Sequence, residues 1–125
     1  MYENLALLRT ADAMARHAGA RQAVVARNMA NADTPGYRAM AIAPFNDSYA
    51  EAGRAMRATR PGHLGFGDRP PPRQAEVEGE ASPNGNSVSI EMEMIQAAEI
   101  EREHNRALSI YRHSLTVLRS VISGR

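Results

Sequence analysis

Few side chains in this sequence have the chemistry or the spacing of a reactive site. The chain contains four histidines and fourteen acidic residues but no cysteine, which excludes thiol nucleophiles, disulfides and thiolate metal sites. Glu101 and His104 have the Glu-x-x-His spacing of di-iron bundle helices, but such a site also needs a second copy of the motif and glutamates from two more helices. The sequence has no second copy. We therefore interpret the pair as part of a solvated helix face and expect no metal site.

A glycine-rich stretch, Gly62-His-Leu-Gly65-Phe-Gly67, resembles phosphate-binding loops in its spacing. Such a loop follows a strand, opens a helix and carries a lysine that reaches a phosphate, and the sequence predicts none of these here. We expect an ordinary loop in which His63 hydrogen-bonds Thr59 or nearby backbone. The sequence thus predicts a protein that is not an enzyme, with no catalytic residues and no cofactor.

The composition favours a small protein with little core of its own. Its 125 residues fit one domain, but the chain has only two Phe, four Tyr and no Trp, and such large side chains dominate core energetics. The net charge is +1 and no basic stripe alternates with aromatic residues, which argues against nucleic-acid binding. The first residues lack a basic segment and no run approaches about 18 apolar residues, so we expect neither a cleaved signal peptide nor a membrane span.

From about Asn4 to Asn31, apolar residues recur in alternating steps of three and four, the period of an amphipathic helix. The stripe consists of Leu8, Ala11, Ala15, Ala18, Gln22, Val25 and Met29, with Leu7 and Met14 widening it. Because most of these side chains are small, packing against a single partner stabilises the helix only modestly. We expect it to be surrounded by several neighbours.

A second long helix is predicted from about Ser89 to Ser123, with Ser87 or Ser89 as its N-cap and Gly124 at its end. A helix of about 35 residues is roughly 52 Å long, more than a domain of this size needs. It carries an a/d seam of apolar residues, which Met94, Ala98, Glu101 and His104 extend toward the N-terminus. The seam, which we expect to be an assembly surface, consists of Leu108, Tyr111, Leu115, Leu118 and Ile122.

Residues 38–87 separate the two helices and hold six of the seven prolines and six of the nine glycines. Such a segment buries too little apolar surface to offset its ordering entropy, so we expect it to be mobile, with one small extended element near Ile42 to Phe45. The predicted fold is mainly α: an N-terminal helix and turn (1–37) and a C-terminal helix (88–125) pair as an elongated, coiled-coil-like hairpin. Charge favours this pairing, because residues 1–60 carry a net +3 and residues 61–125 a net −2.

The stretch Arg-Asn28-Met-Ala-Asn31-Ala-Asp-Thr34-Pro35-Gly36-Tyr37-Arg predicts a helix stop followed by a sharp turn. Asn31 tolerates the left-handed conformation that ends many helices, and Asp33 can form an Asx-turn. Pro35 and Gly36 suit the central positions of a type II turn, which directs Tyr37 back toward the helix. We expect the amides of Asn28 and Asn31, which share one helical face, to hold the polar backbone of the turn.

This stretch resembles the N-terminal signature of the bacterial flagellar rod and hook proteins, in which an asparagine pair precedes a Thr-Pro-Gly-Tyr turn. Within that family the chain resembles most the proximal rod proteins. It is short, the segment from Thr59 to His63 is similar to their Thr-x-x-x-His element, and Asn84-Gly-Asn86-Ser-Val88 precedes a helix rich in Glu and Met as it does there. The segment after Tyr37 departs from the pattern, since it lacks the expected acidic residue before its hydrophobic pair.

The resemblance implies a structural subunit that self-assembles through its terminal helices into the tubular drive shaft joining the membrane ring to the distal rod and hook. It implies a place in the periplasmic rod of the basal body and export, without a cleaved signal, through the flagellar type III apparatus. The implied partners are further copies of the chain, other rod subunits, and membrane-ring and adaptor proteins. The turn from Asn28 to Tyr37 would then set how the chain leaves the inner-tube helix and contacts a neighbouring subunit.

Two alternatives stay open at the level of sequence. The chain could be another axial rod subunit, against which the element from Thr59 to His63 argues. It could also be a non-enzymatic helical adaptor or chaperone of the export system. A chaperone should be a folded dimer in isolation, whereas a rod subunit should be a poorly folded monomer at low concentration.

Overall fold

The computed structural model describes residues 2–54 and 72–124. The chain is mainly helical, as predicted, and its described residues form two long helices, one short helix and a pair of short strands. In chain order the elements are α1 (Tyr2–Ala30), β1 (Met40–Ile42), α2 (Phe45–Arg54), β2 (Gln74–Glu76) and α3 (Ile90–Ile122).

The helices α1 and α3 pack side by side and antiparallel. Asn28 near the end of α1 contacts Glu93 near the start of α3, whereas Arg21 contacts Glu103, so the contact moves back along α1 as it advances along α3. The predicted coiled-coil-like hairpin of terminal helices is therefore confirmed. Its apolar core is small, with Ala18, Val25 and Ile100 at its centre and Ala97 packed against them.

The buried face of α3 differs from the predicted seam by one residue. The buried residues are Glu93, Ile100, Ala107 and Ser114, each seven after the last. The predicted seam lies one position later: Leu108 and Leu115 are only half-buried, and Ile122 is 84% exposed. The face packed within the chain is therefore separate from the seam predicted as an assembly surface, and periodicity did not reveal it because two of its four buried positions are polar.

The buried face of α1 also differs in part from the predicted stripe. Ala11, Ala18 and Val25 are buried as the pattern predicted. The predicted Gln22 and Met29 are exposed. The pattern did not predict the other buried residues of α1, which are Ala13, His17, Arg21, Val24 and Asn28. A count of apolar residues cannot find the polar positions among them, because a buried polar side chain is tolerated only where a partner elsewhere in the fold satisfies it.

One side of the hairpin is covered by the segment that follows the turn. β1 pairs antiparallel with β2, with Met40 opposite Glu76. β1 also packs on α1, and Ala39 and Ile42 are buried there. The extended element predicted near Ile42 is thus present, somewhat earlier than expected. α2 was not predicted: it follows Pro44, whose carbonyl accepts hydrogen bonds from the backbone of Asp47 and Ser48.

The ends of the long helices match their sequence signals. Ser89 is the N-cap of α3 and its hydroxyl accepts a hydrogen bond from the backbone of Met92, whereas Ser87, the other candidate, bonds elsewhere. After α3, Gly124 takes the left-handed conformation, with φ +65°. Within the described ranges, none of the helices is both long and apolar enough to cross a membrane.

Candidate functional site

The chain leaves α1 through the turn that the sequence predicted. The backbone N–H of Tyr37 donates to the carbonyl of Thr34 at 3.3 Å, and Gly36, in the third position of the turn, has φ +72°. This geometry matches a type II turn with Pro35 and Gly36 at its centre. Asn31 ends the helix differently from the prediction: no described residue other than glycine has positive φ, so Asn31 is not left-handed.

The two signature asparagines have different tasks. Asn31 acts locally, because its Nδ2 donates to the carbonyl of Arg27 at 2.8 Å and its Oδ1 accepts from the Thr34 hydroxyl at 3.2 Å. Asn28 acts across the fold. Its Nδ2 donates to the carbonyl of Met40 at 2.7 Å, and its Oδ1 accepts from the Met40 N–H at 3.1 Å and from the Tyr37 hydroxyl at 3.2 Å.

Asn28 also reaches the other long helix. It is only 1% exposed, and its Nδ2 donates to Oε1 of the buried Glu93 at 2.9 Å. One side chain therefore ties α1 to β1, to Tyr37 and to α3. Burial raises the pKa of the Glu93 carboxyl, and the hydrogen bond from Asn28 offsets part of that rise.

A second turn, which precedes α3, packs against the first. The N–H of Gly85 donates to the carbonyl of Ser82 at 2.7 Å, and Gly85 has φ +83°. The N–H of Gly36 in the first turn donates to the carbonyl of Asn84 in the second at 2.9 Å. The two glycines are so close that a Cβ on Gly85 would lie 3.3 Å from Cα of Gly36.

The buried side chain of Asn86 fastens the two turns together. Its Nδ2 lies 2.8 Å from the carbonyl oxygen of Asn31, 2.9 Å from that of Ala32 and 2.7 Å from that of Thr34. Its Oδ1 accepts from the backbone of Val88 at 2.8 Å. These three carbonyls belong to the turn that follows α1, so Asn86 supplies donors to polar backbone that has left the helix. We call the two interlocked segments, 31–37 and 82–87, the two-turn junction.

The hairpin contains two further polar contacts beyond the junction. The buried Arg21 donates from Nη1 to Oε2 of Glu103 at 2.7 Å. His17 Nε2 lies 3.2 Å from the hydroxyl of Ser48 in α2, and its ring packs edge-on against Phe45. Burial lowers the pKa of His17, Arg21 lowers it further, and Glu103 acts in the opposite direction.

The Ser48–His17 pair shares with a nucleophile and its base only the distance of 3.2 Å. A third group that orients the imidazole is needed for that chemistry, yet Nδ1 of His17 is buried without a partner in the described part of the chain. Within residues 2–54 and 72–124, no three His, Asp or Glu side chains cluster as metal ligands would. Glu101 and His104 instead border a surface cleft between the long helices.

The structure brings only part of the predicted site together. The signature residues from Asn28 to Tyr37 form one network, whereas the seam from Leu108 to Ile122 lies on a separate part of α3. Thr59 and His63 fall outside the described residues. Sequence reasoning missed three partners of the signature, Asn86, Gly85 and Glu93. The Asn84-Gly85-Asn86 sequence is typical of a turn, but nothing in the sequence indicated that it would contact the first turn.

The comparisons with known proteins agree with this geometry. A family described as the flagella basal body rod protein matches residues 10–38, which comprise most of α1 and the turn after it. The chain is 33% identical over 113 residues to the flagellar basal body rod protein FlgB of Agrobacterium fabrum (strain C58), and the match covers 83% of each chain. The chain therefore belongs to the family of flagellar basal body rod proteins.

Proposed function

We propose that the chain is a structural subunit of the proximal rod, and that it self-assembles through α1 and α3 into the tubular shaft between the membrane ring and the distal rod and hook. The observation that carries this proposal is the contrast between a firmly hydrogen-bonded junction and a hairpin with little apolar core. Most of the buried hydrophobic residues are alanines, whereas Met92, Met94, Ile95 and Ile122 are more than half exposed. A subunit built to be packed by neighbours has this distribution.

The two-turn junction supplies the rigidity that such a subunit needs. Asn28 and Asn86 hold the exit from α1, the entry to α3 and the start of β1 in one hydrogen-bonded unit. The angle between the inner helices and the segment after the turn is then fixed by Thr34, Pro35, Gly36 and Tyr37. We infer that this angle decides which part of the chain meets a neighbouring subunit.

The same proposal divides the chain by task. Residues 1–37 and 88–125 form the inner tube, and residues 38–87 lie outside it or between subunits. The partners are other copies of the chain, other rod subunits, and membrane-ring and adaptor proteins of the basal body. Export through the flagellar type III apparatus, without cleavage of a signal, places the subunit in the periplasmic rod. The element from Thr59 to His63 belongs to the outer part and has a structural role.

A deletion strain tests the proposal directly. We expect cells without the chain to be non-motile and their purified basal bodies to lack the rod beyond the membrane ring, and we expect the wild-type gene to restore both. Basal bodies with a complete rod in the deletion strain would overturn the proposal. The proposal would also be overturned if the deletion strain failed to export other rod proteins and wild-type basal bodies did not contain the chain. An adaptor or chaperone would give that result.

A further inference from the structure

The hairpin has an open groove on the side opposite to β1 and α2. On that side Ala18, Gly19 and Gln22 of α1 face Ile100, Glu101 and His104 of α3 across a cleft of about 250 Å³. The opposite side is different, because there Met40 and Ile42 line a second cavity of about 250 Å³ together with Arg21, Val24 and Gln96. Among the described residues, the open groove is lined by the two long helices alone.

By the seven-residue repeat, part of each stripe predicted from sequence falls on the side of this groove. The residue that follows each buried heptad position lies on the open side, as Gln22 after Arg21 and Glu101 after Ile100 demonstrate. Extended by seven, this series gives Ala15 and Met29 on α1. On α3 it gives Met94, Leu108, Leu115 and Ile122. Met94 is 60% exposed and Met29 is 40% exposed, whereas Leu108 and Leu115 are half-buried.

These features fit a helix as the occupant. A seven-residue repeat of apolar side chains matches the knobs-into-holes packing of another helix and not an extended peptide. The groove is lined by Ala18, which has a small side chain, and by Gly19, which has none, so a neighbouring backbone can approach closely. Gln22, Glu101 and His104 make its middle polar, which restricts the registers that an incoming helix can adopt.

The charges of α3 identify a second copy of the chain as the source of that helix. Residues 90–104 carry five glutamates and one arginine, whereas residues 105–122 carry three arginines and no acidic residue. Two copies in the same register would place like charges side by side. A displacement of two heptads, about 21 Å, instead places the basic half of one α3 beside the acidic half of the next and keeps the apolar repeat in phase.

We propose that the groove binds the basic half of α3, residues 105–122, from a second copy that is parallel and displaced by two heptads. Leu108 of the incoming helix then lies beside Met94, and Leu115 lies beside Glu101. The inference rests on the proposed function, because a parallel displaced contact repeats without closing, as a rod requires, whereas an antiparallel contact closes into a dimer.

Cysteine cross-linking tests the contact, since the chain contains no cysteine of its own. Met94→Cys and Leu108→Cys in one chain are about 21 Å apart along α3, too far for a disulfide within one molecule. In basal bodies from a deletion strain that carries the double variant, we expect oxidation to give a ladder of dimers, trimers and higher species. Each single variant alone should give at least tenfold less cross-linked product, and a strain that expresses both single variants together should give dimers.

A groove-filling variant provides the matched test. A Cβ at Gly19 meets no other atom within 4 Å, so Gly19→Leu should leave the hairpin intact and place a large side chain in the groove. We expect Gly19→Leu to abolish the ladder, and Ala23→Leu on the exposed face of α1 to leave it unchanged. Closed dimers without higher species, an unchanged ladder in Gly19→Leu, or normal rods without cross-links would each overturn the groove contact. Normal rods without cross-links would leave the proposed function intact, whereas complete rods in the deletion strain would refute that function.

Discussion

The side chains of Asn28 and Glu93 are 65 residues apart in the sequence and share a buried hydrogen bond of 2.9 Å. This bond joins the last turn of α1 to the first turn of α3. The Asn28 side chain also hydrogen-bonds the N–H and the carbonyl of Met40, the first residue of β1. The same side chain therefore joins the two long helices and holds the beginning of β1. The asparagine of the family signature is therefore a structural centre of the fold.

We expect Asn28→Ala to destabilise the junction more than any exposed substitution in α1. The change leaves the Glu93 carboxylate and the backbone of Met40 without their partner, at a cost of about 1–3 kcal/mol for a buried group left unsatisfied. Hydrogen exchange of the Met40 amide should become at least tenfold faster. Gln22→Ala, an exposed control in the same helix, should leave that rate unchanged, and equal rates in the two variants would contradict the role given to Asn28.

The Glu93 carboxyl should make the hairpin respond to pH. Because burial raises its pKa above the ordinary 4.5, the folded state binds a proton more readily than the unfolded state. The stabilisation is present below pH 4.5 and is lost as the pH rises through the higher pKa of the folded chain. His17 has the opposite effect. Because its pKa in the folded chain is lowered, its stabilisation is present above pH 6.5, the ordinary pKa, and is lost as the pH falls through the lower pKa of the folded chain.

Glu93→Gln separates these two contributions. The amide keeps an oxygen that accepts from Asn28 but removes the buried charge, so we expect equal or greater helicity at pH 7 than in the wild type. The gain in far-UV helicity that Glu93 contributes as the pH falls from 7 to below 4.5 should disappear, and the loss due to His17 should stay. A Glu93→Gln profile that matches the wild type at every pH would show that this carboxyl does not titrate within the fold.

The two glycines of the junction should differ in their tolerance of a side chain. Both have positive φ, but a Cβ on Gly36 meets nothing within 4 Å, whereas one on Gly85 lies 3.3 Å from the backbone of Gly36. Gly36→Ala should cost about 1 kcal/mol through its backbone conformation alone, and Gly36→Val more. Gly85→Ala should be worse than Gly36→Ala because it also separates the turns. Rod assembly and motility should therefore fall further in Gly85→Ala than in Gly36→Ala, while export of both variants continues.

A glycine outside the junction provides the control for these variants. Gly79 has neither positive φ nor a close neighbour, so Gly79→Ala should behave as wild type. If Gly36→Ala and Gly85→Ala were equally mild, the close approach of the two turns would not matter for assembly.

The sequence predicted the elements better than the contacts between them. The N-cap of α3 and the type II turn follow from local rules, namely the preference for Ser at an N-cap and for Gly at positive φ. The phase of the buried faces does not, because Arg21, Asn28 and Glu93 are buried through partners on another helix. No local pattern reveals such partners. The junction was missed for the same reason, since Asn86 bonds carbonyls more than 50 residues away.

The free chain should be only partly helical and should not unfold cooperatively. Among the described residues, five of the nine buried hydrophobic ones are alanines, so folding this part of one copy removes little apolar surface from water. A long helix that lacks enough tertiary packing is marginal in water. Calorimetry of the dilute monomer should show a broad transition or none, and one sharp two-state peak would refute this expectation.

The last prediction concerns the seam on the C-terminal half of α3. Leu115 and Leu118 are half-buried within one copy, Tyr111 is 37% exposed and Ile122 is 84% exposed. A Leu side chain contributes roughly 1.5–3 kcal/mol when it passes from full exposure to full burial, so a neighbour that covers the seam gains a substantial part of that amount. We therefore expect Leu115→Asp and Leu118→Asp to be exported but excluded from the rod.

An aspartate at either position would place an unpaired carboxylate against apolar side chains in the assembly, and burial of such a charge is strongly unfavourable. In the single chain the same carboxylate can reach water, so far-UV helicity should change little. The measurement compares the amount of each variant in export fractions with the amount in purified basal bodies. Ser109→Asp, an exposed change on the same helix, controls for charge and should enter basal bodies normally. Leu variants that enter basal bodies as well as Ser109→Asp would show that this part of α3 is not an assembly surface.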